Sequence, residues 1–128
     1  MARVKGHLFK MHKMKLTNYP RYVYLNPIEG KLVSYKTVAK FPHSPNYIMN
    51  LNEIVELQVM TSSKWFFQKG QYYFKVSTKR RTSIFFDDNL EVIQFWVMRI
   101  ALAKRFYAWL HTLTTARYAI TQNIKLDK

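Results

Sequence analysis

The sequence predicts a mainly β domain: seven short strands forming a small barrel or sandwich, closed by one C-terminal helix. Three observations predict it. Short runs rich in Val, Ile, Tyr and Phe recur through residues 4–86, with turn residues between them. From Asp88 the period changes, and Ile93, Trp96, Ile100, Ala103, Tyr107 and Leu110 recur at helical spacing. The chain has 128 residues, nearly half of them hydrophobic, which suits one domain with one core. A run of strands followed by a helix argues against a parallel sheet.

Val4–Lys10 alternates as a first strand. Arg21–Leu25 is a second, bracketed by Pro20 and Pro27. Asn26-Pro27-Ile28-Glu29-Gly30 is a turn, in which Pro fixes one φ and Gly supplies the permissive position. Leu32–Lys36 is the third strand, and a Pro-containing loop over 41–46 follows it. Tyr47–Leu51 and Ile54–Met60 are strands four and five. Gln71–Ser77 is the sixth, with Tyr72, Phe74 and Val76 on one face, and Thr82–Phe86 is the seventh. Asp88-Asn89-Leu90-Glu91 has the form of a capping box, with Asp88 accepting from the first-turn amides. The helix is expected over 89–117, with a tail to 128. A second helical stripe, Leu102, Phe106, Trp109 and Leu113, gives the later helix a further apolar side. It enters the core or meets a protein partner.

Net charge is +14, from 21 Lys+Arg against 7 Asp+Glu. Residues 1–40 carry nine of the basic residues, and Glu29 is their single acid. Such a balance points to an anionic partner: nucleic acid, an acidic membrane surface or an acidic protein. No cysteine is present, so disulfides and thiolate metal sites are excluded and a reducing compartment is favoured. Met1-Ala2-Arg3 is followed by no apolar signal region, and Ala2 stands where N-myristoylation needs glycine. Gln94 and Arg99 interrupt the longest apolar stretch, so no transmembrane helix is expected.

Gly6-His7-Leu8-Phe9-Lys10, Arg21-Tyr22-Val23-Tyr24-Leu25, Leu32-Val33-Ser34-Tyr35-Lys36 and the later Trp96 resemble, in order and spacing, the pleckstrin-homology (PH) pattern. That pattern is G-x-L-x-K on strand one, R-x-hydrophobic-x-L on strand two, L-x-x-Y-K on strand three and one Trp on the closing helix. The resemblance covers roughly Val4 to Leu113. It implies a seven-stranded antiparallel barrel of two near-orthogonal sheets capped by the helix. It further implies a lipid-binding module that recognises anionic phospholipid headgroups, phosphoinositide or phosphatidic acid, on the cytosolic face of a membrane.

By that resemblance Lys10 and Arg21 face the headgroup. Parity agrees: Lys10 matches Leu8, and Arg21 matches Val23 and Leu25. In an antiparallel hairpin the end of one strand lies beside the start of the next, so the two cations should meet at the barrel mouth. Lys36 matches another phosphate-contact position. Lys13 and Lys15 in the loop over 11–20, Lys40 in the third loop, and Arg80 and Arg81 between strands six and seven would surround them. Phosphoinositide-specific members place a second basic residue two positions before the Arg, and here that position is Tyr19. Its loss argues against a high-affinity trisphosphate pocket and leaves a smaller phosphomonoester, such as phosphatidic acid, or a diffuse reader of anionic surfaces. Lys64 and Lys69 could serve a second site. Met11, Met14 and Trp65 are candidates for insertion among acyl chains. Each cation near an anionic leaflet contributes about 1 kcal/mol, so five give about 5 kcal/mol. That corresponds to sub-millimolar binding at best, so headgroup contacts or a second anchor are required.

No catalytic set, metal-ligand spacing or Gly-rich phosphate loop is visible, so no enzyme activity, metal or cofactor is expected. Two other classes remain. A protein-interaction scaffold of the same fold would use the second helix stripe. A nucleic-acid binder would use the charge and the aromatics. Lys69-Gly70-Gln71-Tyr72-Tyr73-Phe74-Lys75-Val76 faintly matches the strand motif of RNA-recognition modules, but Gln71 replaces its aromatic and the element order is wrong. Nucleic acid is therefore not favoured.

Overall fold

The computed structural model describes residues 2–12, 15–60 and 72–126, with the side chains of residues 12, 15–18 and 123–126 also left aside. Lys13, Met14, Lys64, Trp65 and Lys69 lie outside the described residues, as does the side chain of Lys15.

Seven strands precede one helix: β1 Val4–His12, β2 Lys15–Asn26, β3 Lys31–Tyr35, β4 Tyr47–Asn50, β5 Ile54–Met60, β6 Tyr72–Thr78, β7 Thr82–Asp87 and α1 Leu90–Leu126. Pairing is antiparallel throughout, in the order β4-β3-β2-β1-β7-β6-β5. Seven antiparallel strands and a closing helix are what the sequence predicts. The two expected sheets are hydrogen-bonded into one, because β1 is shared between them. It pairs with β2 along nine residues and with β7 at two, Phe9↔Phe86 and Lys10↔Phe85. The sheet does not close. Its ends β4 and β5 are linked by a 3-10 turn, Leu51–Glu53, and by no ladder among the described residues.

Other boundaries move for identifiable reasons. The expected loop over 11–20 is largely strand, with Met11 opposite Asn18 and Lys10 opposite Tyr19. Pro20 is tolerated in β2 because β3 pairs only from Tyr22 onward, so β2 is an edge at that point. The helix cap is Asn89, not Asp88: Asn89 Oδ1 accepts from the Glu91 amide at 2.9 Å. Asp87 Oδ1 in turn accepts from the Asn89 amide at 2.9 Å. The helix then runs to Leu126 rather than ending near 117.

The inner face of the sheet buries Leu8, Val23, Leu25, Leu32, Met49, Phe74, Val76 and Phe85 against Ile93, Trp96, Ile100 and Ala103 of α1. Trp96 lies over β1 where Gly6 leaves room, and a Cβ at Gly6 would stand 3.3 Å from its ring. At the β2–β3 turn Gly30 has φ +69°, and a Cβ there would stand 2.6 Å from the Tyr107 ring. Glycine is required at that turn by both backbone and packing. Asn26 Oδ1 accepts from the Ile28 and Glu29 amides, each at 3.1 Å, which fixes the turn. Lys104 Nζ ties the helix to the start of β5 through the Ile54 carbonyl at 2.5 Å. No described helix is long and apolar enough to cross a membrane.

On the outer face the β3–β4 connection folds back over the sheet. Phe41 meets Tyr22, Tyr24 and Tyr35 edge-on, with centroids 5.4, 5.1 and 5.3 Å away. This aromatic cluster fixes the start of the loop that carries Asn46 and Tyr47 to the site.

Candidate functional site

Lys10 and Arg21 are on neighbouring strands and face the same side of the sheet. Their inward neighbours Leu8 and Val23 are fully buried, and the two cations continue those rows to the open end of the fold. There they line a cleft of about 340 Å³ with Met11, Tyr19, Asn46, Arg81 and Thr82. Arg81 comes from the β6–β7 turn. That turn is held by Thr78, whose amide donates to the Arg81 carbonyl at 2.8 Å and whose Oγ1 accepts from the Arg80 and Arg81 amides.

Aromatic rings position the cations. The Arg81 guanidinium lies 3.8 Å from the centroid of Tyr47, and Lys10 Nζ lies 5.5 Å from the same ring. Arg21 lies 5.3 Å from the Tyr19 ring and donates from Nη1 to the Pro20 carbonyl at 2.9 Å. Its Nε is buried and has no acceptor among the described residues. Among those residues the single ion pair is Lys75–Glu56 at 2.7 Å, on β6 and β5. The three cations of the cleft therefore have no carboxylate partner within the described residues. Burial, and then the charges of Arg81 and Arg21, push the Lys10 ammonium down from 10.5 to about 8. A bound anion would offset these effects by supplying acceptors and opposing the repulsion, so that Lys10 holds its proton more firmly.

The remaining expected residues are dispersed. Lys36 and Lys40 are exposed and line a neighbouring shallow cleft of about 230 Å³ with Ser44, Pro45 and Asn46, so Asn46 borders both clefts. Arg80 points elsewhere, into a cleft of about 330 Å³ with Asn52, Glu53, Val55, Thr78 and Lys79. Adjacent residues in one tight turn thus line different clefts. Met11 is half-buried in the wall of the central cleft. Tyr47 and Asn46 are site residues that the sequence did not single out. Their role depends on a contact between β4 and the β6–β7 turn, for which no local spacing is a signal. Tyr19, the departure from the phosphoinositide-specific pattern noted in the sequence, carries the Arg21 guanidinium on its ring.

Comparison with solved structures agrees with this architecture. The PH domain of human oxysterol binding protein-related protein 11 is similar at a TM-score of 0.66 and 18% identity, over 84% of this chain and 83% of that one. The PH domain of human TBC1 domain family member 2 gives 0.64 and 12%, over 84% and 85%. The N-terminal PH domain of human ARAP2 gives 0.59 and 21%, over 80% and 79%. The chain has the pleckstrin-homology fold. Within the PH fold, the cleft of Lys10, Arg21 and Arg81 lies at the open end of the sheet, between the β1–β2 hairpin, the β3–β4 connection and the β6–β7 turn. No family model matches the sequence, and no curated protein matches it.

Proposed function

We propose that this PH-fold module binds a membrane by taking the phosphate of an anionic phospholipid into the cleft of Lys10, Arg21 and Arg81. One observation carries the reading: three half-buried or stacked cations converge on one cleft with no carboxylate partner among the described residues. Such a group is costly in the unbound fold and gains most from a compact, multiply charged anion. A terminal phosphomonoester, as in phosphatidic acid or a phosphoinositide, offers more charge and more acceptors than a phosphodiester. Lys36 and Lys40, one cleft away across Asn46, would meet a second phosphate or a neighbouring lipid. Arg80 would act at longer range, while Lys13 and Lys15 are proposed, on sequence grounds alone, to add contacts around the headgroup. Met11, which lines the cleft, is proposed to enter the leaflet, as are Met14 and Trp65 on sequence grounds alone. The role is one of binding, not catalysis, at the cytosolic face of a membrane.

Co-sedimentation with vesicles of matched net charge tests this. Vesicles carrying phosphatidic acid or a phosphoinositide should retain the protein better than phosphatidylserine vesicles of equal charge. Equal retention by all of them would reduce the site to a diffuse basic surface. Tighter binding to RNA than to any vesicle would replace the lipid reading altogether.

A further inference from the structure

Helix α1 is longer than its domain needs. Its 37 residues extend about 55 Å, while the residues packed on the sheet end with Tyr107 against Gly30 and the half-buried Leu110. From His111 to Thr121 every residue is exposed, so this stretch is covered by nothing described in the chain. It is not featureless. Leu102, Phe106, Trp109, Leu113, Ala116 and Ile120 follow one another at alternating four- and three-residue steps, the a/d spacing of a coiled-coil seam. Trp109 is 58% exposed, Leu113 51% and Ile120 60%. The stripe covers an arc of about 80°, the narrow width of a coiled-coil seam rather than the broader face of a helix packed on a globular core. It is rotated away from the stripe that enters the core.

Charge limits what can cover it. Arg99 and Arg117 flank the stripe on one side and Arg105 on the other, and no Asp or Glu occurs between Val92 and Leu126. A second copy of the same helix would offer these arginines no acid to pair with. The hydroxyls of Thr112, Thr114, Thr115 and Thr121 all bond back to carbonyls of the preceding turn, at 2.9–3.0 Å. Their donors are already used, so a partner need not satisfy them. We propose that the projecting half of α1 docks an amphipathic helix of another protein, with apolar a/d residues on the stripe and Glu or Asp flanking them opposite Arg105 and Arg117. This surface is separate from the phosphate cleft and does not depend on the lipid reading.

The test uses the full chain and a labelled synthetic helix with Leu at a/d and Glu at the flanking e/g positions, followed by fluorescence anisotropy. A Lys-flanked version and a composition-matched scramble are the comparison probes. The Glu peptide should bind more tightly than both. Trp109→Ala and Leu113→Asp, both exposed, should weaken it roughly tenfold or more, with the melting temperature and vesicle binding unchanged. The double substitution Arg105→Glu with Arg117→Glu should transfer preference to the Lys peptide. Equal binding of the scramble, or indifference to Trp109→Ala and Leu113→Asp, would overturn the proposal. So would self-association of the chain through the stripe in sedimentation. Loss of vesicle binding in Trp109→Ala would assign the stripe to a membrane instead.

Discussion

At the corner where β1, β2 and β7 meet, three cations share one cleft, each lies against an aromatic ring, and Lys10 has given up part of its hold on its proton. A short distance along the same rim, Lys36 and Lys40 stand exposed around a shallow depression. The two groups have similar formal charge and differ in surroundings. Solvent screens the second group, and salt screens it further. Partial burial of Lys10 and Arg21 weakens that screening in the first group, so the repulsion felt by Lys10 persists until an anion arrives. Selectivity should therefore reside in the first group and general attraction to anionic surfaces in the second.

The sharpest way to break this comparison is Arg21→Ala or Arg81→Ala. Each removes charge-assisted hydrogen bonds worth roughly 1.5–3 kcal/mol. Vesicle co-sedimentation should show a loss of that size for phosphomonoester lipids and a smaller one for phosphatidylserine, so that selectivity collapses. Tyr47→Leu comes next and separates geometry from charge. It leaves net charge unchanged but removes the ring under the exposed Arg81 and the half-buried Lys10, cation–π contacts worth about 0.5–1 kcal/mol each at such sites. A purely electrostatic surface would ignore this substitution.

Titration addresses the same contrast. Between about 8 and 10.5 the unfolded chain holds the Lys10 proton and the folded chain has released it. The unfolded state then binds more protons, so fold stability rises with pH across that window. Anion binding follows the opposite course and weakens as pH rises through about 8. Lys10→Met should flatten both profiles, read by thermal melts and by vesicle binding from pH 7 to pH 9. Lys36→Ala and Lys40→Ala should cost about 1 kcal/mol each, equally for every anionic lipid, and the cost should fade in higher salt. Arg80→Ala should have the smallest effect, since its side chain lines a different cleft.

The parts of the molecule set by near neighbours were legible in the sequence. Alternation placed Leu8 and Lys10 on one face and Arg21 and Val23 beside them. The helical period placed Ile93, Trp96, Ile100 and Ala103 in the core, and the structure buries all four. Gly30 at the β2–β3 turn was legible for the same reason. Parts decided by distant contacts were not. Tyr47 reads as an ordinary strand residue until the β6–β7 turn brings Arg81 onto it. Arg80 and Arg81 look equivalent until Thr78 fixes the turn that separates them. The end of α1 was misplaced because Thr112, Thr114, Thr115 and Thr121 lower helix propensity, yet each hydroxyl satisfies itself on the preceding turn. Lys13, Lys15, Met14 and Trp65 lie outside the described residues or side chains, and their roles rest on sequence alone.

The seam between β1 and β7 carries a mechanical consequence. Among the described residues only two pairs stitch the four-strand half of the sheet to the three-strand half, and one of them contains Lys10. The cleft gathers Lys10 and Arg21 from one half and Arg81 from the other, so an anion held by all three spans the thinnest stitching in the fold. Occupancy would then act as a rivet across the two halves. Backbone amides at Phe9, Lys10, Phe85 and Phe86 should exchange with solvent more slowly when phosphomonoester vesicles are present, while those of the long β1–β2 hairpin should change little.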